Sequence, residues 1–160
     1  MKANPDHEKF LIECTNQWLG GSVKWNEWRD ANRNIIPQLC NIDFTKHVEN
    51  YNKNYDSGYF RLAEFDLINA NFSNSNLKNI SFNGADLSSA QFQNANLEGA
   101  SFTEANLDGV DFSNANLKHV AFQKSTGVFK YDHADFGGGN GDQIIEAVNI
   151  LTMGKILSYS

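Results

Sequence analysis

Apolar side chains return at every fifth position between Ala70 and Lys124. Phenylalanine and leucine alternate at these central positions, which are Phe72, Leu77, Phe82, Leu87, Phe92, Leu97, Phe102, Leu107, Phe112, Leu117 and Phe122. A small or β-branched residue stands two positions before each centre, and the other positions are mostly Asn, Asp, Ser, Gln or Gly. An α-helix would rotate this pattern by about 140° per unit, and a strand would move it to the opposite face. The period therefore predicts short extended edges, each followed by a turn.

Four of these units carry a recognisable signature: Ala85-Asp86-Leu87, Ala95-Asn96-Leu97, Ala105-Asn106-Leu107 and Ala115-Asn116-Leu117. They resemble the A(D/N)LXX repeat of pentapeptide-repeat proteins, and eleven consecutive units cover 55 residues. The resemblance implies an all-β solenoid, a right-handed quadrilateral β-helix with four pentapeptides per coil. Phe72, Phe92 and Phe112 would then stack in one ladder, and Phe82, Phe102 and Phe122 in another on the opposite side.

The register before Phe72 has two interpretations. Leu62 and Leu67 continue the series of centres, which puts Phe60 and Phe65 at positions meant for small residues. Alternatively, Phe60 and Phe65 are centres and the register slips by two before Phe72.

An earlier pair of apolar residues predicts the first coil. Leu39 and Phe44 are five apart, with Pro37 and Ile42 two positions before them. Residues 45–59 are then an inserted loop, in which His47, Tyr51, Tyr55 and Tyr59 recur every four residues. Two interpretations remain open: the tyrosines pack on the flank of the rod, or Tyr51, Tyr55 and Tyr59 form an exposed loop that binds a partner.

Residues 1–36 are predicted to form an N-terminal helical cap before the rod of residues 37–136. The helical period is carried by Phe10, Leu11, Cys14, Trp18 and Leu19. Gly20-Gly21 is expected to end this helix and Ser22 to cap a second one with Val23, Trp25 and Trp28. The stretches Trp25 to Arg29 and Ile36 to Leu39 resemble the leader of many bacterial family members. Its expected role is to cover an edge that would otherwise invite strand pairing.

Residues 137–160 are predicted to be a glycine-rich linker followed by a C-terminal capping helix. Asp142 is a suitable N-cap and Gly154 a suitable stop. The residues expected to cap the rod or to form a homodimer are Ile144, Ile145, Val148, Leu151, Ile156 and Leu157. The dimer is suggested by the resemblance, since family members that dimerise often use this end.

Composition narrows the classes of function. The net charge is −6 and the pI is about 5.1, so a basic face for direct nucleic-acid binding is not expected. Cys14 and Cys40 are predicted to be free thiols rather than a disulfide framework. No run approaches the roughly 20 apolar residues of a membrane span. These features predict a cytoplasmic protein without membrane association.

Candidate chemistry is sparse. The segment Asp132-His133-Ala134-Asp135 suggests a metal or acid–base cluster, but Ala134-Asp135-Phe136 resembles one more repeat, out of register. The glycine run at 137–142 matches neither a calcium repeat nor a phosphate loop. A rod filled by side chains offers no interior cleft. We therefore predict no enzyme activity, no cofactor and no metal site.

The predicted function is non-catalytic binding of an unidentified protein partner through the faces and loop of the rod. The alternative comes from the resemblance: some family members mimic a DNA duplex and modulate or protect a type II topoisomerase such as DNA gyrase. The acidic residues that would carry this mimicry are Asp66, Asp86, Glu104 and Asp108. Residues 70–124 contain five acids and three bases, a net charge of only −2, which favours an ordinary solvated surface.

Overall fold

The protein is seen here in a computed structural model that describes residues 4–15, 21–44 and 62–137. Between Leu62 and Gly137 the chain winds as a β-helix of parallel single-residue bridges, and most bridged partners lie 20 positions apart. Since each unit has five residues, one coil contains four of them. The parallel bridges that define the coils connect Asn71 to Gln91, Asn76 to Asn96, Ser81 to Ser101 and Asp86 to Asn106.

Four ladders of bridged residues run along the rod, and each is named here after one member. They are the Gln91 ladder (Gln38, Asn71, Gln91, Asp111, Lys130), the Asn96 ladder (Asp43, Asn76, Asn96, Asn116, Asp135), the Ser101 ladder (Ser81, Ser101, Ala121) and the Asp86 ladder (Asp66, Asp86, Asn106, Thr126). A turn separates each ladder from the next, so each edge contributes one bridging residue.

The turns explain the polar part of the repeat. The second turn residue has a positive φ, as at Asn74 (60°), Gly84 (69°) and Asn94 (59°), a region that Gly and Asn tolerate best. The bridging side chain supports the turn by accepting the backbone N–H two residues ahead, as from Ser88 to Asp86 Oδ1 at 3.1 Å. Local chemistry thus forces a corner after every centre.

The core consists of stacked phenylalanine and leucine side chains. Phe72 lies parallel to Phe92 and Phe82 to Phe102, each with ring centroids 5.0 Å apart. The two stacks meet edge to face, with 5.6 Å between Phe82 and Phe92. The two predicted stacks of phenylalanine rings are confirmed, and the rings fill the interior.

The register before Phe72 follows the first interpretation. Leu62 and Leu67 are buried, and their N–H groups donate to the carbonyls of Ser81 and Asp86 at 2.7 Å. Phe65 occupies a small-residue position and lies 6.2 Å from the ring of Trp25. The alternative register, in which Phe65 is a centre, is therefore wrong. The large ring of Phe65 is accommodated at a small-residue position because it packs against the indole of Trp25. Phe60 lies outside the described residues.

Leu39 and Phe44 belong to the first coil, as predicted. Gln38 bridges Asn71 and Asp43 bridges Asn76, both across 33 positions instead of 20. The additional 13 residues (33 minus 20) are accounted for by an insertion after Phe44. The predicted loop at 45–59, with His47, lies outside the described residues.

The end of the described rod departs from the period of five. Asp111 bridges Lys130 and Asn116 bridges Asp135 across 19 positions, so the unit that begins at Ser125 has four residues. Gly127 takes the central position of this short unit. The repeat at 134–136 is confirmed by its bridge, out of register as predicted. Phe129 then fills the space above Phe122, with ring centroids 5.7 Å apart.

We expect Gly127→Ala to lower the free energy of unfolding by about 2 kcal/mol. Gly127 has a φ of 98°, and an added Cβ would lie 2.3 Å from the backbone nitrogen of Asp108, which cannot move aside. Gly84→Ala is the matched control, since its Cβ would approach no atom more closely than Glu64 Cγ at 3.6 Å and should cost about 1 kcal/mol through its positive φ. Urea unfolding measures both, and equal losses would contradict the steric explanation.

Two helices precede the rod, α1 at Pro5–Thr15 and α2 at Gly21–Ala31. Asn4 caps α1, since its Oδ1 accepts the Asp6 N–H at 3.0 Å. Gly21 is the first residue of α2, so the prediction that Gly20-Gly21 stops one helix and Ser22 caps the next is wrong at Gly21 and Ser22. Glycine occurs at helix starts as well as at helix ends, so the sequence alone does not distinguish the two. Trp18 and Leu19 lie outside the described residues.

Side chains of α2 pair with the backbone of the first coil. Trp25 donates from Nε1 to the Asp66 carbonyl at 2.7 Å. The Asn26 amide donates to the Glu64 carbonyl at 3.0 Å and accepts the Asp66 N–H at 2.8 Å. Asn26 thus replaces the neighbouring strand that this edge lacks. Neither described helix is long and apolar enough to span a membrane.

Candidate interaction surface

The four predicted acids lie along one side of the rod. Asp66 and Asp86 are consecutive members of the Asp86 ladder, which continues with Asn106. Glu104 and Asp108 stand in the turns before and after Asn106. The structure therefore places these residues near one another, although their role in binding stays a prediction.

Two of the four acids are paired with basic side chains. Asp66 lies 2.6 Å from Arg33 Nη1 and 3.7 Å from Arg29 Nε, and its side chain is only 13% exposed. Glu104 lies 2.9 Å from Lys124 Nζ at an exposed site. The arginines were not predicted as partners, since they are more than 30 residues from Asp66 and no local pattern connects them. The four acids Asp66, Asp86, Glu104 and Asp108 are called the acidic stripe here, and pairing reduces its negative field.

The other two acids differ in their surroundings. Asp86 Oδ1 accepts from the Ser88 hydroxyl at 2.6 Å and from the Asn106 amide at 3.2 Å. Asp108 is exposed, and its carboxylate is 3.4 Å from the Val128 N–H. Within 4–15, 21–44 and 62–137, neither forms an ion pair with a basic side chain. Their negative charge is the part of the stripe that is not neutralised.

The charges along the Asn96 ladder are balanced by ion pairs. Amides of Asn76, Asn96 and Asn116 are joined by hydrogen bonds of 3.3 and 3.0 Å. Beside them, Lys78 pairs with Glu98 at 2.8 Å, and Lys118 with Asp135 at 2.9 Å. Hydrogen bonding from Lys78 lowers the pKa of Glu98, and that from Lys118 lowers the pKa of Asp135. This side presents alternating charges with little net field.

The Gln91 ladder carries a chain of polar contacts. Ser73 donates to Gln93 Oε1 at 2.8 Å, and Gln93 Nε2 donates to Asp111 Oδ2 at 2.9 Å. Burial raises the pKa of Asp111, but hydrogen bonds from Ser113 and Gln93 outweigh it, so the pKa is lowered overall. Asp111 therefore stays ionised as a structural acceptor.

Two shallow grooves follow the ladders. One, of about 510 Å³, runs over the small side chains of Ser81, Ser101 and Ala121. The other, of about 330 Å³, is lined by neutral amides and hydroxyls that include Ser73, Asn94 and Gln93, together with Cys40. Both are open to solvent and lined by uncharged side chains.

The residues around His133, whose types suggested a metal or acid–base cluster, are engaged in other contacts. Asp135 pairs with Lys118, Asp132 lies 3.6 Å from Lys130, and His133 occupies a turn with a φ of 57°. In the part of the chain that the structure describes, no three His, Cys, Asp or Glu side chains form a group able to hold a metal ion.

Both cysteines are free and buried, as predicted. Burial raises the pKa of the Cys14 thiol to about 11, which keeps it protonated and unreactive while it stays covered.

The remaining predicted site residues lie outside the described residues. They are the loop tyrosines Tyr51, Tyr55 and Tyr59, and the tail residues Ile144, Ile145, Val148, Leu151, Ile156 and Leu157.

The repeat now has a counterpart among known families. The sequence model of the family described as "Pentapeptide repeat region" matches residues 61–128, which are almost the same residues as the bridged coils. Residues 61–128 are a pentapeptide repeat region. No curated protein matches the chain. The match ends at Val128, the last residue of the four-residue unit.

Solved structures similar to this chain come from varied sources. Rfr23 from the cyanobacterium Cyanothece 51142 is 28% identical with a TM-score of 0.46, over 48% of this chain and 53% of its own. A thylakoid-lumen protein of Arabidopsis thaliana is 28% identical with a TM-score of 0.41, over 59% and 79%. QnrB1, a plasmid-mediated fluoroquinolone resistance protein, is 13% identical with a TM-score of 0.35, over 51% and 58%. The chain thus spans about half the length of Rfr23.

Proposed function

We propose that this chain is a non-catalytic binding protein that contacts a protein partner through the outer surface of its β-helix. The observation that carries the proposal is the filled core, where Phe72, Phe82, Phe92, Phe102 and Phe112 are wholly buried. A reaction needs a site that encloses its substrate, whereas the two grooves seen over the described coils are open and ladder-lined. Regular arrays of short polar side chains, held by their neighbours, are suited to docking with little loss of side-chain entropy.

The proposal includes a more detailed architecture. We take the four ladders as the four faces of a right-handed quadrilateral rod, with α1 and α2 as its N-terminal cap. The C-terminal segment would cap the other end and form the homodimer contact. The loop at 45–59 would add an aromatic contact at the first coil, and cytoplasmic localisation belongs to the same proposal.

One substitution on each ladder tests which surface binds. Gln91→Arg, Asn96→Arg, Ser101→Arg and Asn106→Arg place the same bulky charge at equivalent bridging positions, so each variant is a control for the other three. A partner is first isolated from native lysate with the unmodified chain. We expect one variant to weaken binding of this partner by at least about tenfold, or 1.4 kcal/mol, and the other three to change it little. Calorimetry with the purified partner measures this difference.

Two outcomes would contradict the proposal. All four arginine variants could bind as tightly as the unmodified chain, which would remove the ladders from the interface. Alternatively, the purified protein could convert a substrate, with the activity abolished by a single polar substitution.

DNA mimicry toward a type II topoisomerase such as DNA gyrase is the second candidate. It is favoured by Asp86 and Asp108, the two acids of the stripe that no described basic side chain pairs with. In a supercoiling assay, inhibition by the unmodified chain should disappear in the double variant Asp86→Asn/Asp108→Asn. The variant Glu98→Gln/Asp135→Asn removes the same number of charges from the side of the rod that carries the Asn96 ladder and should retain inhibition. Equal behaviour of the two double variants would exclude the stripe.

A further inference from the structure

Two hydrogen bonds join the start of helix α1 to Gln38, the first bridging residue of the rod. The N–H of Asn4 donates to the Gln38 carbonyl at 2.9 Å. In return, the Gln38 N–H donates to Nδ1 of His7 at 3.1 Å. Gln38 begins the Gln91 ladder, so these two bonds satisfy the backbone groups that face away from the following coil.

The bond to His7 exists only while the imidazole is neutral. Nδ1 needs a free lone pair to accept the Gln38 N–H, so the neutral ring carries its proton on Nε2. A protonated ring has an N–H at both nitrogens, so its Nδ1–H donor would face the Gln38 N–H donor and the hydrogen bond would be lost.

The surroundings of His7 also oppose its protonation. The ring is half-buried and lies edge-on to Trp28, with centroids 5.6 Å apart. Burial lowers the pKa of His7 below its ordinary value of 6.5, and the Arg29 guanidinium on α2 acts in the same direction. Asp6 on α1 acts in the opposite direction, and the rod contributes the uncharged Gln38.

Helix α1 depends on this attachment. It has 11 residues, which is too short for a helix to be stable alone in water. Its packed side chains include Leu11 and Cys14, both wholly buried, and Phe10, which stacks on Trp25 at 5.8 Å. Loss of the attachment would therefore release the helix and uncover Trp25, Cys14 and the edge at Gln38.

We propose that His7 is an acid-sensitive latch that holds α1 on the end of the rod. Above pH 6.5 the neutral ring contributes its full stabilisation, because both folded and released states are deprotonated. As pH falls below 6.5, the released state binds the proton first, so the attachment weakens until the folded ring is protonated as well. Acid then exposes an apolar surface together with an unpaired strand edge.

Cys14 reports the release directly. In a Cys40→Ala background it is the only described thiol, and 4,4′-dithiodipyridine labels thiols in acid as well as at neutral pH. We expect the labelling rate, relative to free cysteine at each pH, to rise at least about tenfold between pH 7.5 and pH 5.0. His7→Asn keeps a side-chain acceptor that does not titrate, and its relative rate should stay the same at both values. His119→Asn removes an exposed histidine from a distant turn and should keep the full rise.

The proposal is overturned if the labelling rate of Cys14 does not rise in acid when His7 is present. It is also overturned if the His7→Asn variant shows the same rise. Hydrogen exchange provides a readout that needs no variant at His7. The Gln38 amide and those of α1 should lose protection together below pH 6.5, after correction for the intrinsic rate, while amides of residues 90–109 in the middle of the rod keep it. Loss of protection across the whole chain at one pH would mean global unfolding and would also overturn the latch.

Discussion

Phe102→Ala is expected to lower the free energy of unfolding by about 3–5 kcal/mol. The ring is wholly buried and stacks between Phe82 at 5.0 Å and Phe122 at 5.6 Å. It also meets Phe112 edge-on at 5.4 Å. Alanine would leave a cavity between rigid coils that are joined on both sides by backbone bonds and cannot collapse into it.

Urea unfolding followed by circular dichroism measures this loss. Phe102→Leu is the control, because leucine is already the centre of the alternate units and should cost less than about 1.5 kcal/mol. A loss below about 1 kcal/mol for the alanine variant would mean that the ring does not pack as described.

Arg29→Met is expected to cost about 3 kcal/mol, because it removes one partner from a buried polar set. Arg29 is 1% exposed and donates to the Ile35 carbonyl at 2.6 Å and to the Ile68 carbonyl at 3.0 Å. Its Nε faces Asp66 at 3.7 Å. Methionine fills most of the volume but leaves both carbonyls without these donors, at the point where α2 meets the rod.

Arg33→Met is the matched control for Arg29. Arg33 also pairs with Asp66, but its side chain is 53% exposed, so its removal should cost much less than that of Arg29. The difference between the variants, measured by thermal and urea unfolding, isolates the effect of burial. Similar losses at both sites would contradict the role given to Arg29.

The amide of Asn26 illustrates a limit of sequence patterns. Its two bonds to Glu64 and Asp66 replace a missing strand, yet nothing about an asparagine in a helix predicts this. The acidic stripe had the same limit, since its positions could be predicted but not the ion pairs of Asp66 with Arg29 and Arg33. These contacts join segments whose separation along the chain has no period.

The sequence by itself determined the coil. Each unit carries its own centre, small residue and turn residues, as Ala95 to Gly99 does, and each coil contacts only its neighbours. Repeated local chemistry therefore predicts both the stacked core and the corners. The number of units in a coil came from the family resemblance and not from the period.

Only the tertiary structure decided what happens at the two ends of the rod. The place of Phe65 depends on the indole of Trp25, which is 40 positions away. The four-residue unit at Ser125 depends on the close approach of Gly127 to the backbone of Asp108. This approach allows Phe129 to cover Phe122. The attachment of α1 depends on a bond between His7 and Gln38. At an end, a coil loses one neighbour, and residues from elsewhere in the chain replace it through contacts that follow no repeat.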